Sequence, residues 1–110
     1  MDLTLTERES PPFHVVEVSG EIDVYTAPRL REVVVSAIDS GHTRLVIDIE
    51  DVAFLDSTGL GVLVGALKRV RADNGSLDII CTSDRLLRIF AITGLDKVFG
   101  LHASIDELVH

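Results

Sequence analysis

The 110-residue sequence has one cysteine, no tryptophan, one tyrosine and three prolines. A single thiol, Cys81, cannot close an internal disulfide or supply a cysteine-based zinc centre, so stability has to come from an apolar core. Basic residues are also scarce, with 10 Lys and Arg against 18 Asp and Glu and a formal charge of −8. Nucleic acid and anionic membrane surfaces both select for a basic footprint, so neither partner is expected. No apolar run approaches the ~20 residues of a membrane span. The start, Met1-Asp2-Leu3-Thr4, carries neither a basic nor an apolar leader segment. A reduced, cytoplasmic protein is the expectation.

What is present is enough for one domain over residues 1–110. The composition is 46% hydrophobic and 25% charged. A chain of this length buries roughly two thirds of its unfolded surface without staples. The charge is lopsided. Residues 1–56 hold 12 acidic and 4 basic side chains, whereas residues 57–110 hold 6 of each.

Periodicity sets the order of elements. Leu3 to Glu7 and His14 to Val18 alternate about Ser10-Pro11-Pro12, which predicts a β-hairpin that Gly20 then interrupts. From Thr26, a helix cap with Pro28 in its first turn, apolar residues recur at helical spacing from Leu30 to Ile38, and Gly41 supplies a stop. Arg44 to Ile49 reads as a buried strand. Asp56 or Ser57 caps the next helix, which carries Leu60, Leu63, Leu67 and Val70 inward and stops at Asn74-Gly75. Leu77 to Cys81 is another strand, with Cys81 a small buried hydrophobe. Ser83 begins a third helix, Lys97 to Leu101 is a short strand, and Ser104 to Glu107 forms a capping box for a last helix. The order ββαβαβαβα predicts an α/β fold with a mixed sheet and an antiparallel strand at one edge.

The most informative stretch is Phe54-Leu55-Asp56-Ser57-Thr58-Gly59-Leu60-Gly61, where a strand gives way to a helix. The first N–H groups of a helix lack internal partners and its dipole favours negative charge there. A phosphate on Ser57 would meet those donors. Gly59 and Gly61 leave the first turn open to another protein. Two helical glycines cost about 1 kcal/mol each relative to alanine, which a purely structural helix has no reason to carry. The alternative is that Asp-Ser is a plain cap and the small residues serve helix–sheet packing.

Other chemistries fit less well. Gly59-x-Gly61-x-x-x-Gly65 misses the dinucleotide fingerprint by one residue, and Ile79 and Ile80 occupy the place of its distal acid. The phosphate-loop pattern is absent, and Leu55 stands where a nucleophile elbow needs glycine. His14, His42, His102 and His110 are scattered and form no metal-ligand pair at helical spacing, so no metal is expected. Asp48, Glu50, Asp51 and Asp56 read as solvated strand-end and loop acids. A phospho-receiver could use Asp51 or Asp56 with Lys97, but the initial hairpin breaks its βαβ start. Glu21 and Asp23 read as loop acids that form a rim beside the Ser57 helix if both loops meet at one sheet edge. Lys68-Arg69-Val70-Arg71 reads as a solvated helix end.

Two blocks carry a family resemblance, Gly20-Glu21-Ile22-Asp23-Val24-Tyr25-Thr26-Ala27-Pro28 and Leu55-Asp56-Ser57-Thr58-Gly59-Leu60-Gly61-Val62-Leu63, supported by Ile92 to Phe99. The chain resembles the anti-sigma factor antagonists, the single-domain branch of the STAS family, and the actinobacterial developmental and stress-response members in particular. The resemblance implies a sheet of about five strands with about four helices. It also implies partner switching without enzyme activity or a cofactor of its own. The unmodified protein would bind an anti-sigma factor that is a serine kinase, which supplies ATP and magnesium, and so free a sigma factor. Phosphorylation of Ser57 would end binding, and a phosphoserine phosphatase would restore it. Implied switch and partner-binding residues are Glu21, Asp23, Tyr25 and Thr26 in the first block and Asp56, Thr58, Gly59, Leu60 and Gly61 in the second. A constitutive STAS interaction module within a stress-signalling complex is the alternative. On either reading, the acidic N-terminal half is expected to bias the surroundings of Ser57.

Overall fold

A computed structural model describes residues 2–109, so Met1 and His110 lie outside the described residues. Its elements are β1 (Leu3–Ser10), β2 (Phe13–Ile22), α1 (Ala27–Asp39), β3 (Arg44–Leu55), α2 (Ser57–Ala72), β4 (Ser76–Ile80), α3 (Asp84–Ile92), β5 (Gly100–His102) and α4 (Asp106–Val109). They form one mixed sheet in the order β1-β2-β3-β4-β5. Among the described residues only the β1–β2 hairpin is antiparallel, with Leu3 opposite Gly20 and Ser10 opposite Phe13. The expected order and edge strand are both present.

Because each parallel crossover steps to the next strand in the same direction, α1, α2 and α3 pack on one face. Leu30 and Val34, Leu63 and Leu67, and Leu86 and Phe90 meet Val16, Val18, Leu45, Ile47, Leu77 and Ile79 there. Cys81 belongs to this core, and burial pushes its thiol up from the ordinary value. The opposite face is covered only in part. Phe13, Val15, Val46 and Ile80 pack against Ile105 and Leu108 around α4.

Three local expectations need correction. The strand does not stop at Gly20 but runs on to Ile22 through a bulge between Gly20 and Glu21. Gly20 has φ +105°, and a Cβ there would lie 2.1 Å from the Asp2 carbonyl oxygen, so glycine lets the strand continue under a close backbone. Lys97 does not begin a strand. Leu95–Lys97 forms a 3-10 turn, Phe99 packs edge-on against Phe90, and β5 starts only at Gly100. The last helix starts at Asp106, and Glu107 reaches back to the Ala103 N–H (3.1 Å) rather than to Ser104.

The acids of β3 are also repositioned. The strand extends to Leu55, so Glu50 and Asp51 lie within it and not in a loop. Leu45, Ile47 and Ile49 turn into the main core, so Asp48 and Glu50 stand on the other face by alternation. Asp48 is the register partner of Glu17. Burial raises the Asp48 carboxyl above its ordinary value of 3.8, and the nearby Glu50, Glu17 and Asp51 add to the rise against a hydrogen bond from the Glu50 N–H. A carboxyl that is raised on folding favours the folded state below pH 3.8, and that benefit is lost as pH climbs through the raised value. Asp48→Asn keeps an acceptor for Glu50 and removes the charge. It should therefore raise the melting temperature at pH 7 and lose that advantage at acid pH, as followed by circular dichroism. A lower melting temperature at pH 7 would contradict this account of the acidic face.

Candidate functional site

Asp56 makes the joint between β3 and α2. Its backbone is extended, with φ −102° and ψ −175°, and its carboxylate accepts the Gly59 N–H at 3.0 Å. It is thus the cap, and Ser57 is the first helical residue. The Asp56 N–H donates in turn to the Ile22 carbonyl at 3.2 Å. That bond ties the start of α2 to the end of β2, where Glu21 pairs with Phe54 and Ile22 with Leu55. The two loops therefore meet at one sheet edge, as the acidic-rim reading required.

The glycines divide by role. A Cβ on Gly59 would lie 2.5 Å from Ile22 Cγ2 and 2.6 Å from Leu55 Cδ1. Gly59 is buried, so it serves close packing of the helix on the strands and does not open the turn to a partner. Leu60 is buried beside it. Gly61 and Gly65 have nothing within 4 Å of an added Cβ and lie in the open. With Thr58, Arg31 and Val35 they line a groove of about 320 Å³ between α1 and α2.

The turn before α1 is built differently from expectation. Thr26 occupies the cap position, but its hydroxyl makes no capping bond. It donates to the Glu21 carbonyl at 2.7 Å and accepts the Asp23 N–H at 2.9 Å. The Asp23 carboxylate closes the turn ahead of the helix, accepting the N–H groups of Tyr25 (2.9 Å) and Thr26 (3.0 Å). The Thr26 N–H, then those of Tyr25 and the Thr26 hydroxyl, hold the Asp23 carboxyl below its ordinary value against the opposing effect of burial. Asp23 is accordingly a buried turn former, not a solvated loop acid.

This turn leaves Val24 57% and Tyr25 85% exposed, and Phe54 at the adjoining strand end is 45% exposed. Ser57, Thr58 and Gly61 are exposed alongside. Val24 and Phe54 lie inside the two sequence stretches quoted above but were not among the residues expected to meet a partner. The only available signal was their place beside the two loop ends. The acids of the N-terminal half divide between two places. Asp23 and Asp56 spend their carboxylates on local N–H groups, while Glu17, Asp48 and Glu50 stand on the open sheet face. The Lys68–Arg71 run ends α2 as expected, with Arg69 paired to Asp39 at 2.7 Å.

The fold and site define a small α/β domain that presents an exposed serine at a helix start beside an apolar rim. The STAS domain family model matches residues 4–108, and the chain belongs to that family. It is 48% identical over 106 residues to an anti-sigma-B factor antagonist of Bacillus subtilis (strain 168), covering 96% of each chain. The anti-sigma-B factor antagonist of Staphylococcus aureus (strain NCTC 8325 / PS 47) is 41% identical over 106 residues, covering 96% of this chain and 98% of that protein. The crystal structure of an anti-sigma factor antagonist from Mycobacterium paratuberculosis superposes with a TM-score of 0.90 at 31% identity, covering 98% of this chain and 92% of that one.

The division between the two glycines is open to direct measurement. Gly59→Ala should destabilise the fold by about 1–3 kcal/mol through overpacking. Gly61→Ala should be neutral or stabilising by up to about 1 kcal/mol, since its Cβ meets nothing. Urea denaturation reads both, and equal losses would contradict the assignment.

Proposed function

We propose that the chain is an anti-sigma factor antagonist that works as a protein-binding switch and not as an enzyme. The observation that carries this reading is Ser57, exposed at the first position of α2 within a turn held by Asp56. Its close relatives' names support the partner class. Unphosphorylated, the protein binds an anti-sigma factor with serine kinase activity and so frees a sigma factor. That partner holds the ATP and magnesium. The γ-phosphoryl group passes to Ser57 Oγ, ADP leaves, and the hydroxyl proton goes to a base. A phosphoserine phosphatase reverses the modification. Such a switch works in the cytoplasm, beside the transcription machinery.

Geometry supports the docking surface. Tyr25, Val24 and Phe54 offer apolar contact on one side of Ser57. Thr58, Gly61 and the groove toward α1 offer a side chain-poor approach on the other. Aromatic anchors of this kind dominate binding energies, and low relief lets the partner come close to the hydroxyl. Phosphorylation adds about −1.5 to −2 charges at pH 7. The N–H groups at the helix start can take up that charge internally. A partner surface shaped for a neutral hydroxyl would face bulk and unpaired charge, and each ~1.4 kcal/mol so lost weakens binding tenfold. No refolding is required.

Incubation with the cognate kinase and Mg-ATP should place one phosphate on the wild-type chain and none on Ser57→Ala, as read by intact-mass spectrometry. Ser57→Asp should weaken binding to the anti-sigma factor by about tenfold or more. Phosphate on Ser57→Ala would overturn the site. Unchanged binding by Ser57→Asp would instead favour a constitutive interaction module.

A further inference from the structure

The far end of the sheet holds a second cluster that the switch does not use. Glu9 on β1 and His14 on β2 face each other across the hairpin, and His42 comes from the distant loop after α1. Each offers a ligand atom, and these atoms all lie within 4.8 Å of one another. We propose that Glu9, His14 and His42 form a binding site for one zinc-class divalent ion.

Four features favour this assignment. The donor set is two imidazoles and a carboxylate, which suits zinc and its first-row neighbours; magnesium and calcium select oxygen ligands. His14 is only 8% exposed, so its position is set by the fold. Its two ring nitrogens are used differently. Nδ1 contacts the Glu9 carboxylate, and Nε2 lies 2.8 Å from Glu7 Oε1. A carboxylate on the distal nitrogen of a histidine ligand fixes the tautomer and raises ligand basicity, which is the role open to Glu7. Finally, Glu9 is exposed and His42 half-buried, so an ion can enter from solvent and keep a water as its fourth ligand.

The exchange balances simply. A histidine ligand binds an ion through a nitrogen without a proton, here Nδ1. A proton displaced from Nδ1 goes to solvent, and the one on Nε2 stays on His14, donated to Glu7. The His14 and His42 rings are stacked, with centroids 4.0 Å apart and planes 15° from parallel. Parallel rings cannot both aim an in-plane lone pair at one ion. His42, which is half-buried, must therefore rotate out of the stack about its own side-chain bonds.

The test uses the full-length, metal-stripped chain. Zinc chloride titration by calorimetry should show one ion per chain, and cobalt chloride should develop the visible absorption of a low-coordinate N/O site. His42→Ala and Glu9→Gln, both at accessible positions, should each weaken zinc binding by about tenfold or more. Glu7→Gln should cost about 10- to 100-fold. His102→Ala is the control, since His102 pairs with Asp78 and Glu107 at a separate place, and it should bind zinc as wild type does. Circular dichroism checks that each variant is folded. Absence of one-to-one zinc binding, full affinity in His42→Ala, or loss in His102→Ala would each overturn the site.

Discussion

One residue joins the parts on which the rest depends. Asp56 gives its N–H to the Ile22 carbonyl and takes the Gly59 N–H on its carboxylate. The first bond brings the ends of β2 and β3 together. The second sets where α2 begins and leaves Ser57 at its first position. Gly59 completes the joint, because a side chain there would drive the helix off Ile22 and Leu55. The Asp23–Thr26 turn is the matching half, and its internal bonds push Val24 and Tyr25 outward. The exposed serine and the apolar rim are thus two results of one packed corner.

This arrangement changes how the charge of the molecule reads. The acid excess belongs to the N-terminal half, but much of it lies on the sheet face that α4 leaves open. The corner near Ser57 has two carboxylates, Asp23 and Asp56, already engaged with backbone donors. A new phosphate there differs from the local charge in kind. It is bulky, dianionic and on the surface that an approaching protein must cover. The corner supplies contrast between two chemical states, and the fold behind it has no need to move.

The order of strands and helices was legible because periodicity survives in a chain with few breakers. Ser57 was legible because an acid, a serine and two glycines fall where a strand pattern becomes a helical one. Other features depended on competition or distance. Thr26 before an apolar helix reads as a cap, yet its hydroxyl is committed to the Glu21 carbonyl and the Asp23 N–H, Pro28 offers no N–H, and that of Arg29 goes to the Thr26 carbonyl. Gly20 reads as a break, yet glycine is what allows the strand to bend and continue. Gly59 and Gly61 look alike in sequence, and only the packing of Ile22 and Leu55 separates them. His14 and His42 stack through a long-range return of the chain that no local pattern announces.

The central claim is that modification of Ser57 changes a surface and not a fold. Backbone amide chemical shifts of the phosphorylated and unphosphorylated chain test it most directly. The account predicts changes confined to residues 21–26 and 54–61, with the groove residues of α1 as the outer limit. Shifts spread through β1, β5 and α4 would contradict it, because they would mean that the phosphate acts by reorganising the domain.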